Sequence, residues 1–191
     1  MHDVDLYRFD DEKEEKDKDE KSSPNIQNKL LKSRTILATK GVDDKLMAAL
    51  VSQLFVLEQD DPNKLITVIV NSPGGSADSG FAIYDAMRFV KPPVVTICNG
   101  ICASAAVIIF LGGRKGHRYA LPNSRFLIHQ PSTFSQGQAS DLEITAREII
   151  KIRQRYNMIV SEATGKPVEK ITADADRDFW LSPEEAIEYQ L

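Results

Sequence analysis

The chain has 191 residues, 42% hydrophobic and 27% charged, which is enough for one domain with an ordinary core and too few for two full domains. Its net charge of −4 is matched by one run, Asp10 to Lys21, which holds eight of the 28 acids and four of the 24 bases and leaves 20 of each elsewhere. A body so balanced gives no electrostatic reason to expect nucleic acid or an anionic membrane as partner.

Residues 1–24 are charged, poor in apolar side chains and closed by Ser22-Ser23-Pro24; they bury too little to offset ordering entropy and are expected to be a disordered tail. Residues 25–191 are then the folded domain. Ile36-Leu37-Ala38 reads as a strand, and Asp43 to Gln59 as an amphipathic helix with Leu46, Leu50, Leu54 and Leu57 on one face. The β-branched run Ile66 to Val70 predicts a second strand, followed by the turn Asn71-Ser72-Pro73-Gly74-Gly75 and a helix from Ser76 to Val90. The pattern repeats: Val94 to Cys98 as a strand, Asn99-Gly100 as a turn, Cys102 to Leu111 as an apolar helix ended by Gly112-Gly113. A further strand spans Arg125 to Ile128, and a Gly- and Ser-rich loop from 132 leads into a long helix from about Asp141 to Ala163. Ser182-Pro183-Glu184-Glu185 has the cap, proline and glutamates of a short last helix. Strand-helix units of this length predict an α/β fold with a mainly parallel sheet, because parallel neighbours need crossovers.

The apolar run Ile101 to Leu111 falls short of the roughly 20 residues that cross a bilayer, and no basic segment followed by an apolar one opens the sequence. A soluble, cytoplasmic protein is expected. Cys98 and Cys102 sit in apolar sequence at a spacing unlike Cys-x-x-Cys, so buried reduced thiols are expected rather than a metal site.

The Pro73-Gly74-Gly75 turn leaves a strand and opens a helix, so its backbone N–H groups could face a negative oxygen with no side chain in the way; a tight structural turn is the plainer reading. Neither G-x-G-x-x-G nor a phosphate loop ending in Gly-Lys-Ser/Thr is present. Ser104, among Ala103, Ala105 and Ala106 at a predicted helix start, suits a nucleophile and equally suits close helix packing. A serine needs a base. Of three histidines, His2 is in the tail and His117 in a charged turn, which leaves His129 at the end of an apolar strand. Asp178 precedes Phe179-Trp180-Leu181 and is expected to be partly buried, where it could orient an imidazole. Spacing alone does not bring these three together.

Six motifs in order, Asn71-Ser-Pro-Gly-Gly75, Cys102-Ala-Ser-Ala105, Pro122-Asn-Ser-Arg125, Ile128-His-Gln-Pro131, Gly137-Gln-Ala-Ser140 and Asp176-Arg-Asp178, closely resemble the proteolytic subunit of the Clp protease, from about Leu31 to Leu191. The resemblance implies a crotonase-like spiral of strand-helix units with a protruding handle at about 132–163. It implies Ser104 as nucleophile, His129 as general base and Asp178 as the carboxylate that orients it, with the Gly75 and Ala105 N–H groups as oxyanion donors. Unfolded polypeptide would be hydrolysed to short peptides, with no cofactor and no metal. It further implies two stacked heptameric rings, alone or mixed with a paralogue, fed by an AAA+ unfoldase of the Clp family. Gln136, Gly137, Gln138 and Ala139 would be the strand-like part of the handle, and Asp176 and Arg177 would form ion pairs across the rings. Ala105-Ala106 stand where such subunits commonly have Met-Gly. A structural or partner-dependent ring subunit with little activity of its own is the alternative, and a crotonase-like acyl-CoA enzyme a remote third.

Overall fold

The computed structural model describes residues 24–132 and 134–191; most of the predicted tail therefore lies outside the described residues. The β-branched run forms β2 (Ile66–Ser72), whose Ile66, Val68 and Val70 are fully buried. It is flanked by β1 (Thr35–Ala38) and β3 (Val94–Ala103), both parallel to it. The crossovers this demands are α2 (Asp44–Asp60) and α3 (Ala77–Phe89). Asp43 caps α2 by accepting from the Leu46 N–H at 2.7 Å, and Leu50, Leu54 and Leu57 bury the expected face, each by about 1.5–3 kcal/mol of transfer free energy. Ser76 caps α3.

On its other edge β3 has two neighbours, both parallel: β4 (Arg118–Ala120) along Thr96–Cys98, and β5 (Arg125–Ile128) along Ile101–Ala103. The sheet ends with β6 (Phe179–Leu181), antiparallel to β5. The fold is thus α/β with a mixed, mainly parallel sheet.

One expected boundary is corrected. Asn99-Gly100 does not end the strand and Cys102 does not start a helix, because β3 continues to Ala103 and α4 covers only Ala105–Leu111. The turn signal is spent on a bulge: Val70 pairs with Cys98 and Ser72 with Cys102, so β3 places two more residues in this interval than β2 does. Gly100 has φ 110°, and the Asn71 Oδ1 accepts from the Ile101 N–H at 3.1 Å across the bulge. A Cβ at Gly100 would come within 2.8 Å of that oxygen. Both cysteines are buried and free.

Helix α1 (Pro24–Lys32), α6 (Val168–Asp174), β4 and β6 were not foreseen; α1 starts at the last residue of the expected tail. The long helix is α5 (Ala139–Thr164), ended by Gly165 at φ 73°. Its second half packs through Tyr156 and Val160, whereas Ile144 and Ile150 in its first half are exposed. Helix α7 (Pro183–Tyr189) has the expected capping box between Ser182 and Glu185. No helix among the described residues is long and apolar enough to cross a membrane.

Candidate active site

Strand β3 delivers Ser104 to the start of α4 with φ 55° and ψ −125°, a conformation that a non-glycine residue holds only when its surroundings enforce it. Its N–H donates to the Leu127 carbonyl of β5 at 2.9 Å, and its carbonyl accepts from the Val107 N–H at 2.9 Å and the Tyr156 hydroxyl at 3.4 Å. Unlike the serines that open α3 and α7, Ser104 makes no side-chain cap, so its Oγ is left for other work. Gly74 sits against it: a Cβ there would lie 2.6 Å from both the Ser104 Cβ and the Ala103 oxygen, and the φ of 92° suits only glycine.

The expected oxyanion donors, Gly75 and Ala105, both line the space that Ser104 faces. Gly75 (φ 148°) is bridged to Val42, which donates to the Gly74 carbonyl at 2.8 Å and accepts from the Ser76 N–H at 2.7 Å. The Gly75 N–H has no acceptor of its own among the described residues. Ala105 is the first residue of α4, where an N–H lacks the carbonyl one turn earlier that an interior residue would use.

Gly75, Ser104, Ala105 and His129 line one pocket of about 250 Å³, together with Phe81 and Tyr156. His129 follows β5 directly and Asp178 precedes β6 directly. Since Ile128 pairs with Phe179 in the antiparallel ladder, His129 and Asp178 are the next facing positions. His129 Nδ1 stands 3.7 Å from Asp178 Oδ1, beyond hydrogen-bond length, and no hydrogen bond joins Ser104 to His129 among the described residues. Ser104 and His129 share the pocket without being in bonding contact, and Asp178, which approaches the His129 Nδ1, lies outside its lining. His129 is 25% exposed at its side chain, but Asp178 is 65% exposed, which corrects the expectation of partial burial. Of the apolar residues after it only Leu181 is buried, whereas Phe179 is half-buried and Trp180 is exposed.

A family model described as Clp protease matches residues 17–191. A solved structure of a point mutant of ClpP1 from Listeria monocytogenes superposes with a TM-score of 0.80 at 40% sequence identity, covering 86% of this chain and 92% of that one.

The chain belongs to the Clp protease family.

As a member of the Clp protease family it is a serine-type peptidase. Of the handle positions, Ala139 opens α5, and Gln136, Gly137 and Gln138 are exposed and pair with no strand among the described residues. Asp176 and Arg177 are both exposed, with Asp176 Oδ2 4.0 Å from Arg177 Nε, too long for a firm ion pair. Tyr156 is a site residue that none of the sequence motifs singles out; it comes from the long helix, which also lends Ile149 and Ile152 to the pocket. The only signal was a hydroxyl-bearing ring within an otherwise aliphatic stripe.

Proposed function

We propose that this chain is the endopeptidase subunit of an ATP-dependent Clp-type protease, hydrolysing unfolded polypeptides to short peptides through an acyl-enzyme on Ser104. The observation that carries the reading is the pocket shared by Ser104, His129, Gly75 and Ala105. His129 Nε2 takes the Ser104 proton as Oγ attacks the scissile carbonyl, and the tetrahedral oxygen is held by the Gly75 and Ala105 N–H groups. His129 then protonates the leaving amine, and water, deprotonated by the same imidazole, releases the acyl group. Asp178 accepts from the His129 Nδ1–H and keeps Nε2 available as base. Family membership implies self-association and work with a Clp unfoldase; stacked heptameric rings would place these pockets in a closed chamber, with α5, Gln136–Gln138, Asp176 and Arg177 at the ring contact.

A second reading is favoured by the 3.7 Å gap between His129 and Asp178 and by the exposure of Asp178. Both suit a subunit whose site aligns only on assembly, with copies of itself or with a paralogue. Treatment with a fluorophosphonate, after size exclusion separates oligomer from monomer, tests both. Wild type should gain one adduct by intact mass and Ser104→Ala none. Adducts confined to the oligomer support coupling of alignment to assembly; adducts equal in monomer and oligomer remove that coupling. No adduct in any fraction, including mixtures with an active paralogue, overturns the peptidase assignment of Ser104.

A further inference from the structure

A second cavity, of about 230 Å³, lies at the opposite end of the same helices and shares no lining residue with the first. The first is lined by the N-terminal parts of α3 and α4; the second by Tyr84 and Arg88 near the end of α3, Leu111 at the end of α4, Glu162 near the end of α5, and the segment carrying Lys115 and Arg118. Three cations and one acid therefore face a single space. Arg118 Nη2 donates to the Ala163 carbonyl at 3.5 Å, but Nη1, which is shut off from solvent, has no partner among the described residues.

A guanidinium stays charged in proteins, and a buried N–H of a charged group left unpaired is costly. Among the described residues no carboxylate pairs with Arg88, Lys115 or Arg118, although Glu162 lines the same cavity. Burial, countered in part by the Tyr84 hydroxyl and reinforced by Arg88, holds Arg118 below its ordinary value, as expected of a cation without a counter-ion. Carbonyls at the ends of α4 and α5 supply some negative potential but leave Nη1 unsatisfied. What completes such a site is an acceptor with several oxygens and a negative charge. A fork of N–H donors beside a point-charge ammonium matches a phosphoryl group.

We infer that the cavity between Arg88, Lys115 and Arg118 is an oxyanion-binding site for a phosphate or the phosphoryl group of a small molecule, separate from the peptidase pocket.

The test is titration calorimetry of the full-length protein in chloride buffer with inorganic phosphate, then with glycerol 3-phosphate. The site predicts one phosphate per chain, displaced by sulfate. Arg88→Gln and Lys115→Ala, both at exposed positions, should each weaken it by roughly tenfold, as loss of one charge-assisted contact does. Lys45→Ala, which removes the same charge from the distant start of α2, should leave it unchanged. Tighter binding of glycerol 3-phosphate than of phosphate assigns the ligand as a phosphorylated metabolite; equal or weaker binding assigns the free anion. Phosphate binding no stronger than chloride binding, or equal losses from Lys45→Ala and Lys115→Ala, overturns the site. Fluorophosphonate labelling of Ser104 should be the same in Lys115→Ala as in wild type, so failure here is distinguishable from failure of the peptidase assignment.

Discussion

The Tyr156 hydroxyl lies 3.4 Å from the carbonyl oxygen of Ser104, so the helix that extends beyond the body touches the backbone of the candidate nucleophile. Burial pushes this phenol far above its usual range, which keeps it a neutral donor at any working pH. Tyr156→Phe retains the packed ring and loses a long hydrogen bond, so stability should fall by no more than about 1 kcal/mol. Peptidase kcat should fall more than that change in stability suggests, because the Ser104 peptide is held in a strained conformation. Tyr156→Ala should instead cost about 3–5 kcal/mol as a large core side chain is deleted. Urea midpoints and kcat on the same samples check both; equal kcat in wild type and Tyr156→Phe would separate α5 from the site.

Gly80 of α3 lies under the first residue of α4: a Cβ at Gly80 would meet the Ala105 oxygen at 3.2 Å and the Ala105 Cβ at 3.3 Å. Alanine normally improves a helix interior by about 0.5–1 kcal/mol over glycine. Gly80→Ala should therefore leave the melting temperature nearly unchanged, while the few tenths of an ångström it forces on α4 displace the Ala105 N–H. The expected result is slower acylation of Ser104 in a protein that remains folded. Full acylation would mean that the shift is absorbed by α3.

Asp178→Asn tests the proposed role of Asp178 as the orienting carboxylate. An amide offers an N–H where the His129 Nδ1–H needs an acceptor, and favours the tautomer that cannot take the serine proton. Peptide cleavage should drop by on the order of 10²–10⁴-fold with the assembly state intact. A rate within error of wild type would remove Asp178 from the mechanism.

The Tyr189 hydroxyl donates to Asp174 Oδ2 at 2.7 Å, and Lys170 contacts the other oxygen. Burial pushes the Asp174 carboxyl up, but the Lys170 ammonium and the Tyr189 hydroxyl outweigh it, and the net shift is downward. A depressed carboxylate contributes stability above its unfolded pKa and loses it as pH falls through the folded value. Tyr189→Phe should cost about 1 kcal/mol near neutrality, and the gap to wild type should narrow on acidification below the ordinary carboxylate range. Urea denaturation across that range measures it; a gap independent of pH would assign the loss to packing of the ring.

The strand-helix units around β2 and α3 were legible because Ile66–Val70 and the Ser76-capped helix carry local signals that agree with their burial. The motifs around Ser104 and His129 pointed to the chemistry and the family. What the sequence did not show was the approach of Asp178 to within 3.7 Å of His129, because it depends on β6, three residues long with no alternation to read, docking antiparallel on β5. The Asn99-Gly100 bulge misled for the same reason: locally it is a turn, and only the neighbouring β2 ladder makes it an interruption within one strand. The exposure of Asp178 likewise follows from where β6 begins rather than from its apolar successors.

Strand β3 holds β4 with its first half and β5 with its second, so the bulge between them is where two separate stretches of later sequence attach to one earlier strand. The serine at its end is fixed by Leu127 of β5, and the acid by β6 closing on β5. Such distant pairings carry the larger loop-closure cost and form slowly. On refolding from denaturant, the helical signal should therefore recover first and peptidase activity only when the last strand docks, which makes the site a reporter of completed topology.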